Sequence, residues 1–451
     1  MNNRRTFLQR AVALGGGLLA APKLFGMQHQ HGTAAQTDRT EPGRAGAARS
    51  NLRVQTPDIP DLPFRLDNGV KEFHLTAEVV ERELLPGRKM KVWGYNGSCP
   101  GPTIQVNQGD RVRIILDNHL PEPTTMHWHG FEIPIAMDGM PYISQKPIAS
   151  GGRFIYEFTL HQEGTYFYHS HGAMQEMLGM IGMFIMHPQK AYQPKVDHDF
   201  GIILQGWALL PNSDVPNTAG MEFNWLTFNG KAGPATTPML ARLGSRVRIR
   251  IVNLGMDHHP IHLHGHTFAV TGSEGGRQPQ ALWGPANTVL VGVAQARDIE
   301  FNANNPGDWM IHCHLPHHMM NSMMDLMGER MITTSALTSR ESTEQMQIMS
   351  ATGVQMGAHS GHGASTPGAA KVDPNAVPGF PQDAFMEMPM DEAVDKPENY
   401  GLAQNWSAGM MGMMSLVRVL PPDKYDHIMD LIANRKPQKK NQTPEEHKHP
   451  S

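Results

Sequence analysis

Apolar and polar residues alternate with period two along two well-separated segments. Val112, Ile114 and Leu116 alternate with Arg111, Arg113 and Ile115, and Val247, Ile249 and Ile251 alternate with Arg246, Arg248 and Arg250. Successive strand side chains point to opposite faces, so this pattern predicts half-buried strands. Asn96-Gly97, Pro100-Gly101-Pro102, Asn107-Gln108-Gly109 and Pro306-Gly307-Asp308 punctuate the chain as turns between short strands. The reading is all-β, with two β-sandwich domains.

The two segments are copies. Gly109-Asp110-Arg111-Val112-Arg113-Ile114 recurs as Gly244-Ser245-Arg246-Val247-Arg248-Ile249, from 109 to 244, an offset of 135 that also carries Asn118 to Asn253 and His127-Trp128-His129-Gly130 to His262-Leu263-His264-Gly265. Gly164 to His171 matches Gly307 to His314, from 164 to 307, an offset of 143. Such a register argues for a duplicated domain, residues 56–190 and 191–335. Residues 28–55 read as a linker before it. Residues 336–380, rich in Ser, Thr, Gly and Ala, read as a flexible linker. Residues 381–451 form a Met-rich extension, helical where Tyr425, Ile428, Met429 and Ile432 follow Pro421-Pro422.

Composition sharpens the picture at two residue types. Of 451 residues 25 are His and 32 are Met, against only two Cys, Cys99 and Cys313, which excludes a disulfide scaffold and points to soft-metal chemistry. The near-neutral net charge of -4 offers no broad basic face, so nucleic acid is not an expected partner. Asn3-Arg4-Arg5-Thr6-Phe7-Leu8, followed by the apolar run Ala11 to Ala21, reads as a twin-arginine export signal over residues 1–27, with a periplasmic or extracellular destination. No apolar run reaches the ~18 residues of a membrane span.

Four His-x-His pairs carry the candidate chemistry: His127/His129, His169/His171, His262/His264 and His312/His314. Residues i and i+2 of a strand share a face, so each pair can aim two imidazoles at one point. About one or two such pairs are expected by chance at this histidine content, and His29/His31 and His447/His449 are given no role. Four pairs at equivalent places in a duplicated domain are not explained that way. The repeat also sets His259, Cys313, His318 and Met323 opposite Thr124, Ser170, Gln175 and Met180. Two His, one Cys and a weak axial Met make a trigonal blue copper site. Cys313, between His312 and His314, would join that site to the paired histidines through a few backbone bonds. Cys99 reads as a small buried residue.

At these motifs, over about residues 75–335, the chain resembles the multicopper oxidases, most closely the two-domain laccase-like group. The resemblance implies two cupredoxin-like Greek-key domains and four coppers per chain. A type 1 copper takes His259, Cys313, His318 and axial Met323. A type 2 copper takes His127 and His262, and a type 3 pair takes His129, His169, His171, His264, His312 and His314. Electrons would pass through Cys313 to the cluster, where dioxygen is reduced to water. Asp138 resembles the family's proton-relay carboxylate, its alternative being a turn aspartate before Gly139. Leu315, Pro316, His317 and Met319 replace the acidic residues often found there, so no second proton donor is assigned. The resembling group builds its clusters between subunits of a homotrimer.

Three function classes follow: an oxidase of phenols and similar aromatic donors reached at an exposed edge of His259 or His318; a metal oxidase of cuprous, ferrous or manganous ions, needing carboxylates or thioethers near His318; and a non-catalytic copper carrier. The first is favoured. A copper nitrite reductase fits less well, because Ser170 stands where its thiolate would be. Eighteen of the 32 Met lie from Met310 onward. Thioethers suit cuprous ion, but packing is the reading preferred for Met319, Met320, Met324, Met327 and Met410 to Met414.

Overall fold

The computed structural model describes residues 52–172, 174–210, 213–219, 223–319 and 389–435. The export signal, residues 336–380 and Met323 lie outside the described residues.

Among the described residues, the first sandwich comprises β1 (Arg65–Asp67), β2 (Val70–Leu85), β3 (Arg88–Tyr95), β4 (Gly101–Asn107), β5 (Arg111–Asn118), β6 (Met126–His129), β7 (Arg153–Thr159), β8 (Gly164–Ser170) and β9 (Ile181–His187). One sheet runs β1-β2-β5-β7 with β3 also on β2, and the other runs β4-β9-β8-β6. Phe73, Leu75, Val112, Ile114, Trp128 and Phe184 fill the space between them.

The second sandwich comprises β10 (His198–Trp207), β11 (Trp225–Phe228), β12 (Met239–Arg242), β13 (Arg246–Asn253), β14 (His259–Leu263), β15 (Phe268–Ser273), β16 (Gly276–Arg277), β17 (Pro285–Ala286), β18 (Thr288–Val291), β19 (Gln295–Asn302), β20 (Gly307–Cys313) and β21 (Met414–Leu420). Its sheets run β11-β10-β13-β19-β15-β16, with β17 on β15, and β12-β21-β20-β14-β18. The sequence repeat is also a topological one: β5 lies parallel to β2 as β13 lies parallel to β10.

Two features depart from the sequence expectations. The arginine face of β13 does not meet solvent. Arg248 and Arg250 are buried against Asp199, and Arg248 also against Glu300. Arg250 also donates to Thr165 of β8 at 2.7 Å. This face packs on the first sandwich, where Phe167, Ile181, Met183 and Ile185 meet Ile203, Val252 and Leu254. The alternation is therefore real, but its polar side is charge-paired within the second sandwich and meets the first through Thr165, which also donates to Asp298 at 2.7 Å.

The second departure is β21. It comes from the Met-rich C-terminal segment, yet it pairs antiparallel with β20 and parallel with β12, completing the second sandwich beyond residue 335. Leu416, Val417, Val419 and Leu420 form an apolar, partly β-branched run that suits an inner strand. Pro421-Pro422 ends it and opens helix α1 (Pro422–Ala433), where a proline at the first turn forfeits no hydrogen bond. Tyr425, Ile428 and Ile432 of α1 pack on Leu240 and Leu420. Met410 and Met414 pack with Met310, Met319 and Trp406. Cys99 is buried, its Sγ 3.5 Å from the Gly179 carbonyl oxygen.

Candidate metal centres

The strand pleat places one centre on each side of a sheet. In β14, Ile261 and Leu263 point into the core with buried His259, while His262 lies on the other face. In β20, Ile311 and Cys313 point inward, leaving His312 on the far face, with His314 just beyond the strand end. Cys313 thus belongs to an inner site and its neighbours to an outer one.

The inner site is a triangle. His259 Nδ1 lies 3.1 Å from His318 Nδ1, and Cys313 Sγ lies 3.7 and 3.4 Å from them. A point about 2.0 Å from all three atoms exists in their plane, within the range of metal–imidazole bonds. All three residues are fully buried. Burial depresses His259 to about 3 and His318 to about 4. It also pushes the Cys313 thiol up to about 12, against a smaller opposing effect of the Leu315 backbone N–H. Without a metal the set is neutral, and a cation able to hold the thiolate fits it. Asn253 shapes the loop that delivers His259: its Nδ2 donates to the carbonyls of Asp257 and Val291, and its Oδ1 accepts from Gly255 N. Asn118 does the same in the first sandwich with Glu122, Ile148 and Leu120. Met323 cannot be placed, lying outside the described residues.

The outer histidines gather into two half-clusters. In β6, Met126 and Trp128 are buried and His127 and His129 face out, towards His169 and His171 of the β8 end. In the second sandwich His262, His264, His312 and His314 gather likewise, with His264 Nε2 3.0 Å from His312 Nε2. Backbone carbonyls fix ring orientation: Nδ1–H of His127, His169, His262 and His312 donates to the oxygens of Asp138, Ser170, Asn287 and Cys313 at 2.7–2.8 Å. Each of these rings therefore presents Nε2 as a lone-pair donor. Gly130 and Gly265, which follow the two strands, have φ of +80° and +70°, a region that disfavours a side chain. Among the described residues, no ring contact joins one half-cluster to the other, and His171 and His314 are exposed.

Three carboxylates attend these sites. Asp138 Oδ1 lies 3.4 Å from His127 Nδ1, beside a Gly139 whose added Cβ would strike the Met126 carbonyl oxygen. Glu176 Oε2 lies 3.3 Å from His169 Nδ1, and burial raises its carboxyl to about 7. Asp257 Oδ2 lies 3.7 Å from His318 Nε2 at the inner site. The motifs do not mark Glu176 or Asp257. Glu176 sits among Met174, Met177 and Met180, in a stretch that forms turns before β9 rather than strand.

Comparisons with known proteins place this architecture. Residues 76–191 and 210–330 match two multicopper oxidase family profiles. The chain is 36% identical over 123 residues to copper resistance protein A of Pseudomonas syringae pv. tomato, covering 27% of this chain and 20% of that protein. It is 32% identical over 191 residues to laccase-1 of Cryptococcus neoformans var. neoformans, covering 39% and 30%. The crystal structure of a blue copper oxidase from Nitrosomonas europaea superposes with a TM-score of 0.52 at 31% identity, covering 56% of this chain and 81% of that one. The chain aligns with less than a third of those two curated relatives' lengths. It belongs to the multicopper oxidases, copper-dependent oxidoreductases that use dioxygen.

Proposed function

We propose that this chain passes single electrons from a donor near His318 through Cys313 to the eight paired histidines, where dioxygen is reduced to water. The observation that carries this reading is the pleat of β20, which sets Cys313 in the inner triangle and His312 and His314 in the outer cluster. Bound copper supplies the one-electron couple. The donor set suits four coppers per chain: one in the triangle, one between His127 and His262, and a pair held by the other six histidines. Asp138 and Glu176 hold or pass protons in this proposal, which their carboxylates 3.4 Å from His127 Nδ1 and 3.3 Å from His169 Nδ1 support. A carrier needs no thiolate strand joining two centres.

The half-clusters meet, in this proposal, between copies of the chain. Each holds four imidazoles, no ring contact joins the two halves among the described residues, and a head-to-tail ring of three copies brings every first-domain half to a second-domain half. Export by the twin-arginine route, which suits a protein folded around its metal, belongs to the same proposal.

For the donor, the geometry favours a metal ion over a phenol. His259 and His318 are 0% and 1% exposed, so an aromatic ring finds no open imidazole edge among the described residues. Asp257, its side chain 41% exposed, offers a carboxylate within 3.7 Å of His318 Nε2, and Met256 beside it is exposed. Similarity to copper resistance protein A supports a cuprous donor; similarity to laccase-1 supports the phenol. Dioxygen uptake with cuprous ion, ferrous ion and a dimethoxyphenol separates them. Higher kcat/KM for the ions is expected, with KM raised in Asp257→Ala. Rapid phenol turnover indifferent to Asp257→Ala would overturn the metal-ion reading.

A further inference from the structure

The first sandwich contains a metal-free counterpart of the inner triangle, and it identifies the residue that completes the second. Thr124 Oγ1 and Ser170 Oγ both donate to Gln175 Oε1, at 2.7 and 2.6 Å, a hydrogen-bonded set where the second sandwich has His259, Cys313 and His318. Met180 lies fully buried beside this set. Its backbone is clamped at both ends: Ser170 N donates to Met180 O at 3.0 Å, and Met180 N to Gln175 O at 3.2 Å.

The same clamp recurs in the second sandwich on a residue far along the chain. Cys313 N donates to Met413 O at 3.0 Å, and Met413 N donates to His318 O at 2.9 Å. The ladders agree, since Ile181 pairs with His169 as Met414 pairs with His312. Counting along the chain carries Met180 to Met323, whereas strand pairing carries it to Met413. Met413 continues the ladder one residue beyond that pair, opposite Cys313, and directly opposed residues of an antiparallel pair share a face. Met413 is 0% exposed and belongs to the core cluster that holds Cys313, Ile261 and Ile311. Met410 and Met414 pack in a separate cluster with Met310.

We infer that Met413, not Met323, supplies the axial thioether of the type 1 copper. The inference rests on the reading of His259, Cys313 and His318 as that copper's ligands. The site is then closed by a strand that returns after an insertion within its own ligand loop, where the first sandwich spends only the four residues from Glu176 to Gly179. The weak axial ligand tunes potential without deciding whether copper binds, so substitution should move spectra rather than abolish the site.

The test compares Met413→Leu, Met413→Gln and Met323→Leu in the copper-loaded full chain. The readouts are the thiolate-to-copper charge-transfer band, the copper hyperfine splitting and the type 1 reduction potential. Near-isosteric Leu keeps the core filled, and Gln offers a harder donor at the same place. The expected result is a potential raised by Met413→Leu and lowered by Met413→Gln, each with a changed spectrum, while Met323→Leu matches the wild type. A potential moved by Met323→Leu and unmoved by both Met413 variants overturns the inference and leaves the copper site standing. A wild type with no charge-transfer band removes the copper reading and the inference with it.

Discussion

The two sandwiches are the same scaffold with different contents. Each has a buried asparagine shaping the entry loop, a clamped methionine, and an inner triad at the end of matching strands. In the first the triad is Thr124, Ser170 and Gln175, which satisfy one another by hydrogen bonds. In the second it is His259, Cys313 and His318, whose two Nδ1 atoms and sulfur converge within 3.1–3.7 Å of one another, while His259 Nε2 finds no hydrogen-bond partner among the described residues. The difference teaches that the fold supplies the hole and the side chains decide whether it holds itself together or needs a metal. The outer faces of both sandwiches, by contrast, keep their four histidines.

The largest effect is expected where the second triad loses its thiolate. Cys313→Ser makes it resemble the first at its centre, and should abolish the charge-transfer band and cut dioxygen uptake by more than ~100-fold. A retained band would break the comparison. Next comes the buried charge cluster on the face of the second sandwich that packs on the first. Arg250→Met leaves Asp298 buried without its guanidinium and Asp199 with Arg248 alone, and should cost about 3–5 kcal/mol in denaturant unfolding. A loss within ~0.5 kcal/mol would mean that the buried charge cluster contributes little to stability.

The carboxylates rank third. Asp138→Asn should lower dioxygen reduction about 10–100-fold while leaving the charge-transfer band unchanged, since Asp138 attends His127 and not the inner triad. An altered band would place it elsewhere. The smallest effect is on the pH dependence of the copper-free protein. His259 and His318 are held by burial at about 3 and about 4, below their unfolded value, so the folded state binds fewer protons. Their contribution is complete above about pH 6.5 and is lost as pH falls from there towards 4 and then 3. Exchanging the triad for the first sandwich's set, as His259→Thr, Cys313→Ser and His318→Gln together, should flatten that slope in urea midpoints, leaving the part due to the other burial-depressed histidines, His169 and His187 foremost. An unchanged slope would show that the triad's imidazoles titrate normally.

Much of this was legible in the sequence because strand periodicity and a repeat act locally. The offsets of 135 and 143 place β13 against β5 and β20 against β8, and i, i+2 spacing correctly put His127 and His129 on one face. What local patterns could not carry was partnership across distance. Met323 matches the repeat by counting, but the strand pairing with β20 lies at 414–420, beyond a stretch of unrelated composition. The burial of Arg248 and Arg250 was equally hidden, because alternation does not say whether a polar face meets water or acidic partners. Glu176 and Asp257 lie outside any motif and matter only through the fold that brings them to His169 and His318.

The proposed meeting of first-domain and second-domain half-clusters between copies of the chain makes a sharp quantitative prediction. It is tested most directly by complementation. One variant carries His129→Ala and His171→Ala, the other His264→Ala and His314→Ala, each inactive alone, and the two are co-expressed in equal amounts. If the cluster forms between copies in a head-to-tail ring, about a quarter of the interfaces unite two intact halves, and dioxygen uptake should recover to about that fraction of the wild type. If uptake stays at the level of the separate variants although mixed oligomers form, the cluster is built within one chain and not between copies.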